Sequence, residues 1–203
     1  MSDREVTTAE YKKYLTRLCH LISVELVPKT AVFDYFTERI YKIEPKLDDL
    51  EPLMWYVQSG FHYDITFSLY RLFDKKADRN IFHFIDFTEK NLENIFWARE
   101  PLTENNIQEQ RRLLESVHAI TERLRKRRNK FFAHYDKDYF DKPEQIDVDF
   151  PFTNEDAKQL VRILQKIINQ HTHAFSSSGI LSLEGFVYVA AAKLFNAIRN
   201  KPH

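Results

Sequence analysis

The sequence predicts an all-α protein, an up-and-down bundle of six or seven helices. Three observations lead there. Only three glycines, Gly60, Gly179 and Gly185, occur in 203 residues, too few for the turns of a sheet-rich fold. Apolar residues recur at helical spacing in segment after segment. Prolines and N-capping residues punctuate those segments where helices would stop and start.

Between Thr8 and Val27 the apolar stripe is Tyr11, Leu15, Leu18, Ile22 and Leu26, with Pro28 as the expected stop. A second helix is predicted from Lys29 to Ile43, ahead of Pro45. A third runs from Leu53 to Phe73 on Trp55, Ile65, Leu69 and Leu72, with Gly60 allowing a bend or a division into two shorter helices. Residues 74–80 read as a polar loop, and Ile81 to Arg99 as a fourth helix. Thr103 is the predicted cap of one long helix reaching at least Phe132. Residues 136–152, with two prolines and an alternating Ile146-Asp147-Val148-Asp149-Phe150, read as a loop or one short strand. Thr153 with Asp156 forms a capping box for a helix to Phe175. Ser176 to Gly179 is a linker, and a last helix covers Leu183 to Arg199. The whole, 1–203, reads as a single domain, with the motif-bearing part at about 50–175.

The apolar fraction of 43% is enough for a real core, and 30 basic against 30 acidic residues give zero net charge. Global charge therefore does not draw the chain to nucleic acid or anionic membrane, and any such attraction must be local. With Cys19 as the single cysteine, an intramolecular disulfide and a cysteine-based zinc cluster are both excluded. No apolar run approaches a membrane span, and the charged N-terminus is followed by no signal-peptide core. A cytoplasmic protein without membrane association is expected.

The most unusual segment is 123–130, in which six of eight residues are basic. A solvated helix face is the plain reading of such a run. Against it, Leu113, Val117, Ile120 and Leu124 mark an apolar seam whose continuation is Arg127, Phe131 and His134, with Arg128 one position round. A guanidinium on or beside a packed face is costly unless it has a partner or a purpose. An arginine fork matches phosphate oxygens, and an imidazole can move a proton near neutrality. The pair suits cleavage of RNA, the imidazole assisting attack of a 2′-hydroxyl and the guanidinium stabilising the phosphorane. On an ideal helix Arg128 and His134 lie about 120° apart while Arg127 and His134 nearly align. Either the helix ends first, or the residues act from different protomers, or Arg127 shares the role.

Arg128-Asn129-Lys130-Phe131-Phe132-Ala133-His134 resembles the Arg-polar-x(4)-His motif of the HEPN superfamily. With Arg71-Leu72-Phe73-Asp74-Lys75 and Ala133-His134-Tyr135-Asp136, the stretch of roughly 55–165 is similar to HEPN-like proteins of the abortive-infection U type. The resemblance implies an all-helical bundle, metal-independent and cofactor-free endoribonuclease activity in phage defence or a toxin system, and a homodimer whose two motifs line one cleft. It also implies an RNA substrate and a neutralising antitoxin protein as partners. Carried onto this chain, Arg128 binds phosphate, Asn129 orients it or the ribose, and His134 transfers the proton. Arg127, Lys130, Asp136, Arg71 and Asp74 are supporting or RNA-binding candidates, Asp136 by orienting His134. The alternative is a catalytically silent HEPN-like module that binds RNA, a nucleotide or a protein.

Other features read as structural. Glu115 and His118 have the Glu-x-x-His spacing of di-iron bundles but no second pair. His171 and His173 read as surface histidines. The aromatic residues of the third helix, Trp55 to Phe73, read as mostly core.

Overall fold

The computed structural model describes residues 2–40, 51–132, 137–176 and 183–199. Among them there is no strand, and the chain is an all-α helical bundle. It has more helical segments than the six or seven expected, because one predicted helix is divided and one predicted loop is helical.

Helix α1 (Asp3–Cys19) starts on a capping box between Ser2 and Glu5. It continues without a break through a π-helical stretch (His20–Leu26) into α2 (Val27–Ile40). Pro28 thus sits inside the helical path instead of ending it. An α-helical proline clashes with the carbonyl four residues back and lacks an N–H. The widened turn, in which the Val27 N–H donates to the Ile22 carbonyl, relieves that crowding. The predicted end of the second helix, 41–43, lies outside the described residues.

Helix α3 (Glu51–Phe73) is continuous through Gly60. A Cβ added there would meet nothing within 4 Å, so glycine serves no close approach. Gly60→Ala is expected to raise stability by ~0.5–1 kcal/mol, by removing backbone freedom from the unfolded chain. A urea midpoint unchanged or lowered would contradict this.

Helix α4 (Ile81–Lys90) is shorter than expected. Asn91 leaves helical geometry, a short 3-10 turn (Leu92–Asn94) follows, and the Trp97 indole donates to the Leu92 carbonyl. The predicted long helix from Thr103 is α5 (Glu104–Glu115) and α6 (His118–Arg127), broken at Ser116 and Val117. The Ser116 hydroxyl donates to the Leu113 carbonyl and competes with the helical ladder. Beyond α6 the chain widens into a π-turn (Arg128–Phe132). The expected loop is two short helices, α7 (Lys137–Asp141) and α8 (Gln145–Asp149). The alternation is helical up to Asp149: Ile146 alone of 146–149 is buried, while Asp147 and Asp149 bond to Arg127 and Tyr139. Helix α9 (Asn154–Phe175) has the predicted Thr153–Asp156 capping box, and α10 (Glu184–Arg199) closes the described chain.

The main core gathers α1, the first π-stretch, α3, α4, α5, α6 and α9, with Tyr11, Ile22, Leu69, Phe84, Leu124 and Leu164 each almost fully buried. Each such side chain contributes ~1.5–3 kcal/mol by leaving water. A smaller cluster around Tyr35, Phe36 and Ala191 joins α2 to α10. The α3 aromatics are divided, contrary to expectation: Phe73 is core, but Trp55, Tyr56, Tyr63 and Phe67 are exposed.

His171 corrects the surface reading. It is fully buried on α9, its Nδ1 2.9 Å from the Tyr11 hydroxyl and its Nε2 3.0 Å from Gln110 Oε1. The Gln110 amide nitrogen donates to Gln170, so its oxygen faces the imidazole. His171 therefore donates through Nε2–H and accepts from Tyr11, as the neutral ring. Burial pushes its pKa down to about 3.

Candidate functional site

Arg127 ends α6 and Arg128 opens the next turn, and neighbouring helical positions lie about 100° apart, so only one of the two can face the core. Arg127 does. It is 5% exposed, donates to Asp147 Oδ1 at 2.6 Å and to the Phe150 carbonyl at 3.3 Å, and so fastens α8 to α6. Its Nε is buried without a partner among the described residues. Arg127 and burial together push the nearby His62 imidazole towards its neutral form, burial being the larger cause.

Arg128 opens the π-turn and faces the other way, into a cleft of about 350 Å³ between α3, α6 and the loop after α3. Its guanidinium lies 5.0 Å from the Tyr70 ring centre, an arrangement that holds the cation without neutralising it. One nitrogen donates to Asn129 Oδ1 at 3.1 Å. A guanidinium has five N–H donors, and the cleft leaves others open to an anion.

Tyr70 carries the cleft's wiring. Its hydroxyl donates to Asp74 Oδ2 at 2.7 Å, and Asp74 Oδ1 accepts from the Lys76 backbone N–H. Burial first, and the Asp74 hydrogen bond next, push the phenol pKa up, so it stays a neutral donor. Lys75 and Lys76 line the cleft from the loop. On α6, Arg125 is clasped by Glu122 through two nitrogens, with the shortest contact 2.7 Å. That bond holds the Glu122 carboxyl below its ordinary range.

Of the residues singled out in sequence, the structure brings Arg128, Asn129 and Asp74 to one cleft. Arg127 is held in the core, and Arg71 and Lys130 are exposed and do not line the cleft. His134 and Asp136 lie outside the described residues. Tyr70, Thr121, Glu122 and Arg125 also line the cleft and were not foreseen. The legible signal for Tyr70 was its place in the last turn of α3, four residues before Asp74. Glu115 and His118 share the cleft wall, yet among the described residues no group of three or more His, Cys, Asp or Glu side chains is placed to hold a metal ion.

A comparison with protein families matches the HEPN_AbiU2 family, described as AbiU2, over residues 30–195. The chain belongs to the HEPN-type AbiU2 family. This is an abortive-infection family, and the AbiU2 match spans the cleft-forming helices α3 and α6 with the motif between them and α9. Searches of curated proteins and of solved structures returned no match. Among the described residues of this AbiU2 chain, no helix is long and apolar enough to cross a membrane.

Proposed function

We propose that this chain is a metal-independent endoribonuclease of HEPN type, acting as a homodimer in phage defence or a toxin system. The observation that carries the reading is Arg128, half-buried in a cleft, braced by Asn129 and Tyr70 and with donors to spare. A phosphodiester there would set its non-bridging oxygens against the guanidinium, which stabilises the charge of the phosphorane. The 2′-oxygen attacks phosphorus while His134 takes its proton. The bond to the 5′-oxygen then breaks, and that oxygen is reprotonated as it leaves. The products are a 2′,3′-cyclic phosphate and a 5′-hydroxyl. Asn129 positions the guanidinium, and Asp74 fixes the phenol beneath it.

The test incubates the protein with single-stranded RNA in EDTA. Cleavage leaving 2′,3′-cyclic ends is expected, and His134→Ala should lower it by two to four orders of magnitude, the usual contribution of a general acid or base. Failure to cut any RNA pool would refute the catalytic reading. Zero net charge favours a second reading, a catalytically silent binding module. RNA bound in a salt-sensitive way but left intact would select it.

A further inference from the structure

A second pocket lies beyond the loop that borders the cleft. It has a volume of about 550 Å³ and is set on α1. Its floor is apolar, formed by Tyr14, Leu18 and Leu21, and its rim carries Lys13, Arg17 and Arg79 against the single acid Glu10. Lys13 and Arg17 are exposed and pair with no carboxylate among the described residues. In a chain with zero net charge, such an unbalanced rim over an apolar floor suits a ligand with phosphate and a flat ring.

Arg79 fits the ring. Its guanidinium sits 5.0 Å from the Tyr14 ring centre, and its long ion pair with Glu10, at 3.9 Å, leaves the side chain 67% exposed, with its outer face open. Nucleobases stack on arginine planes as they do on aromatic rings.

The loop joins this pocket to the cleft. Lys75 and Lys76 face the cleft, and Arg79 faces the second pocket. The five steps from Asp74 to Arg79 span at most ~18 Å. The loop is also tied at every turn. Fully buried Asn80 donates through its amide to the Asp74 and Ala77 carbonyls and accepts from the His83 N–H. The Tyr14 hydroxyl donates to the Asn80 carbonyl at 2.7 Å. Tyr14 and Tyr70 thus pin the two ends of one loop, and the cations on either side keep a set spacing.

We infer that the α1 pocket is a second binding site for single-stranded RNA, holding a nucleotide of the strand whose other part lies in the Arg128 cleft. This rests on the proposed function. The strand crosses the 74–80 loop, its phosphates meeting Lys75, Lys76, Arg17 and Lys13, with one base against Arg79.

The experiment compares the wild-type protein with the double variant Lys13→Ala/Arg17→Ala, whose side chains make no folding contacts of note. The probes are a labelled RNA of about 12 nucleotides, within the span such grooves cover, and a dinucleotide confined to the cleft. For the longer RNA, the variant should bind roughly tenfold more weakly at low salt. Its slope of log affinity against log salt should shrink by about 1.4, since each lost single-strand phosphate contact removes about 0.7. Dinucleotide cleavage should not change. Equal affinity and slope for the two proteins, with the longer RNA bound and cut, would overturn the second site and leave the nuclease reading standing. No binding of either RNA by wild-type protein would overturn both. Adenosine monophosphate bound through Lys13 and Arg17, with the longer RNA indifferent to them, would reassign the pocket to a free nucleotide and end the shared-strand inference.

Discussion

Arg128→Ala should leave the protein folded and lower RNA cleavage by about two to three orders of magnitude, the cost of removing one preorganised donor from a developing anion. Its folding contribution is modest, since a half-buried cation–π contact is worth ~0.5–2 kcal/mol. Arg127→Ala should do the reverse. Asp147 is 68% exposed, so the ion pair itself is partly solvated and contributes little. The damage comes from the cavity left in the core and from the Phe150 carbonyl deprived of its donor. Together these should cost about 2–4 kcal/mol. Arg127→Met, which refills the volume, should recover a large part of that loss. Urea unfolding and cleavage rates, measured on the same three proteins below their melting points, separate the roles. A folded Arg127→Ala protein without activity, beside an active Arg128→Ala protein, would reverse the assignment.

Acid should destabilise the bundle through His171. Its folded pKa of about 3 lies below the usual histidine value of 6.5. Between those values the unfolded chain holds a proton that the folded protein refuses. The stability due to the neutral ring is therefore complete above about pH 6.5 and is lost as pH falls towards 3, with a slope approaching ~1.4 kcal/mol per pH unit. Protonation would break the bond from Tyr11, since Nδ1 would turn from acceptor to donor. His171→Gln cannot take up that proton. Its stability should be lower at pH 7 and fall less steeply towards pH 4. Parallel curves for the two proteins would show that His171 does not control the acid response.

The helical class and the strong caps were legible in the chain because they are local. Thr103 and Thr153 bond to backbone within three residues, and the α9 stripe repeats with little interruption. The missed features are tertiary. Pro28 is a stop only if the turn before it is α-helical, and the π-stretch removes that condition. Residues 145–149 alternate like a strand, yet the partners of Asp147 and Asp149 lie on other elements. His171 looks like any polar residue near a helix end until Tyr11 and Gln110 arrive from 160 and 61 positions away. At the site, the choice between Arg127 and Arg128 was unreadable from the seam alone. Leu124 fixes which face is inward, but α8 decides which arginine has a partner waiting there.

The π-turn at Arg128–Phe132 has an evolutionary meaning. A π-turn is equivalent to one extra residue absorbed by a helix. Because α-helical residues advance about 100° each, losing or gaining a residue in this stretch would swing the following chain round the helix axis. The packed seam ending at Leu124 would be undisturbed. Descendants of this sequence can therefore re-aim whatever follows the turn by a single indel, while inheriting Arg128 and its aromatic bed unchanged.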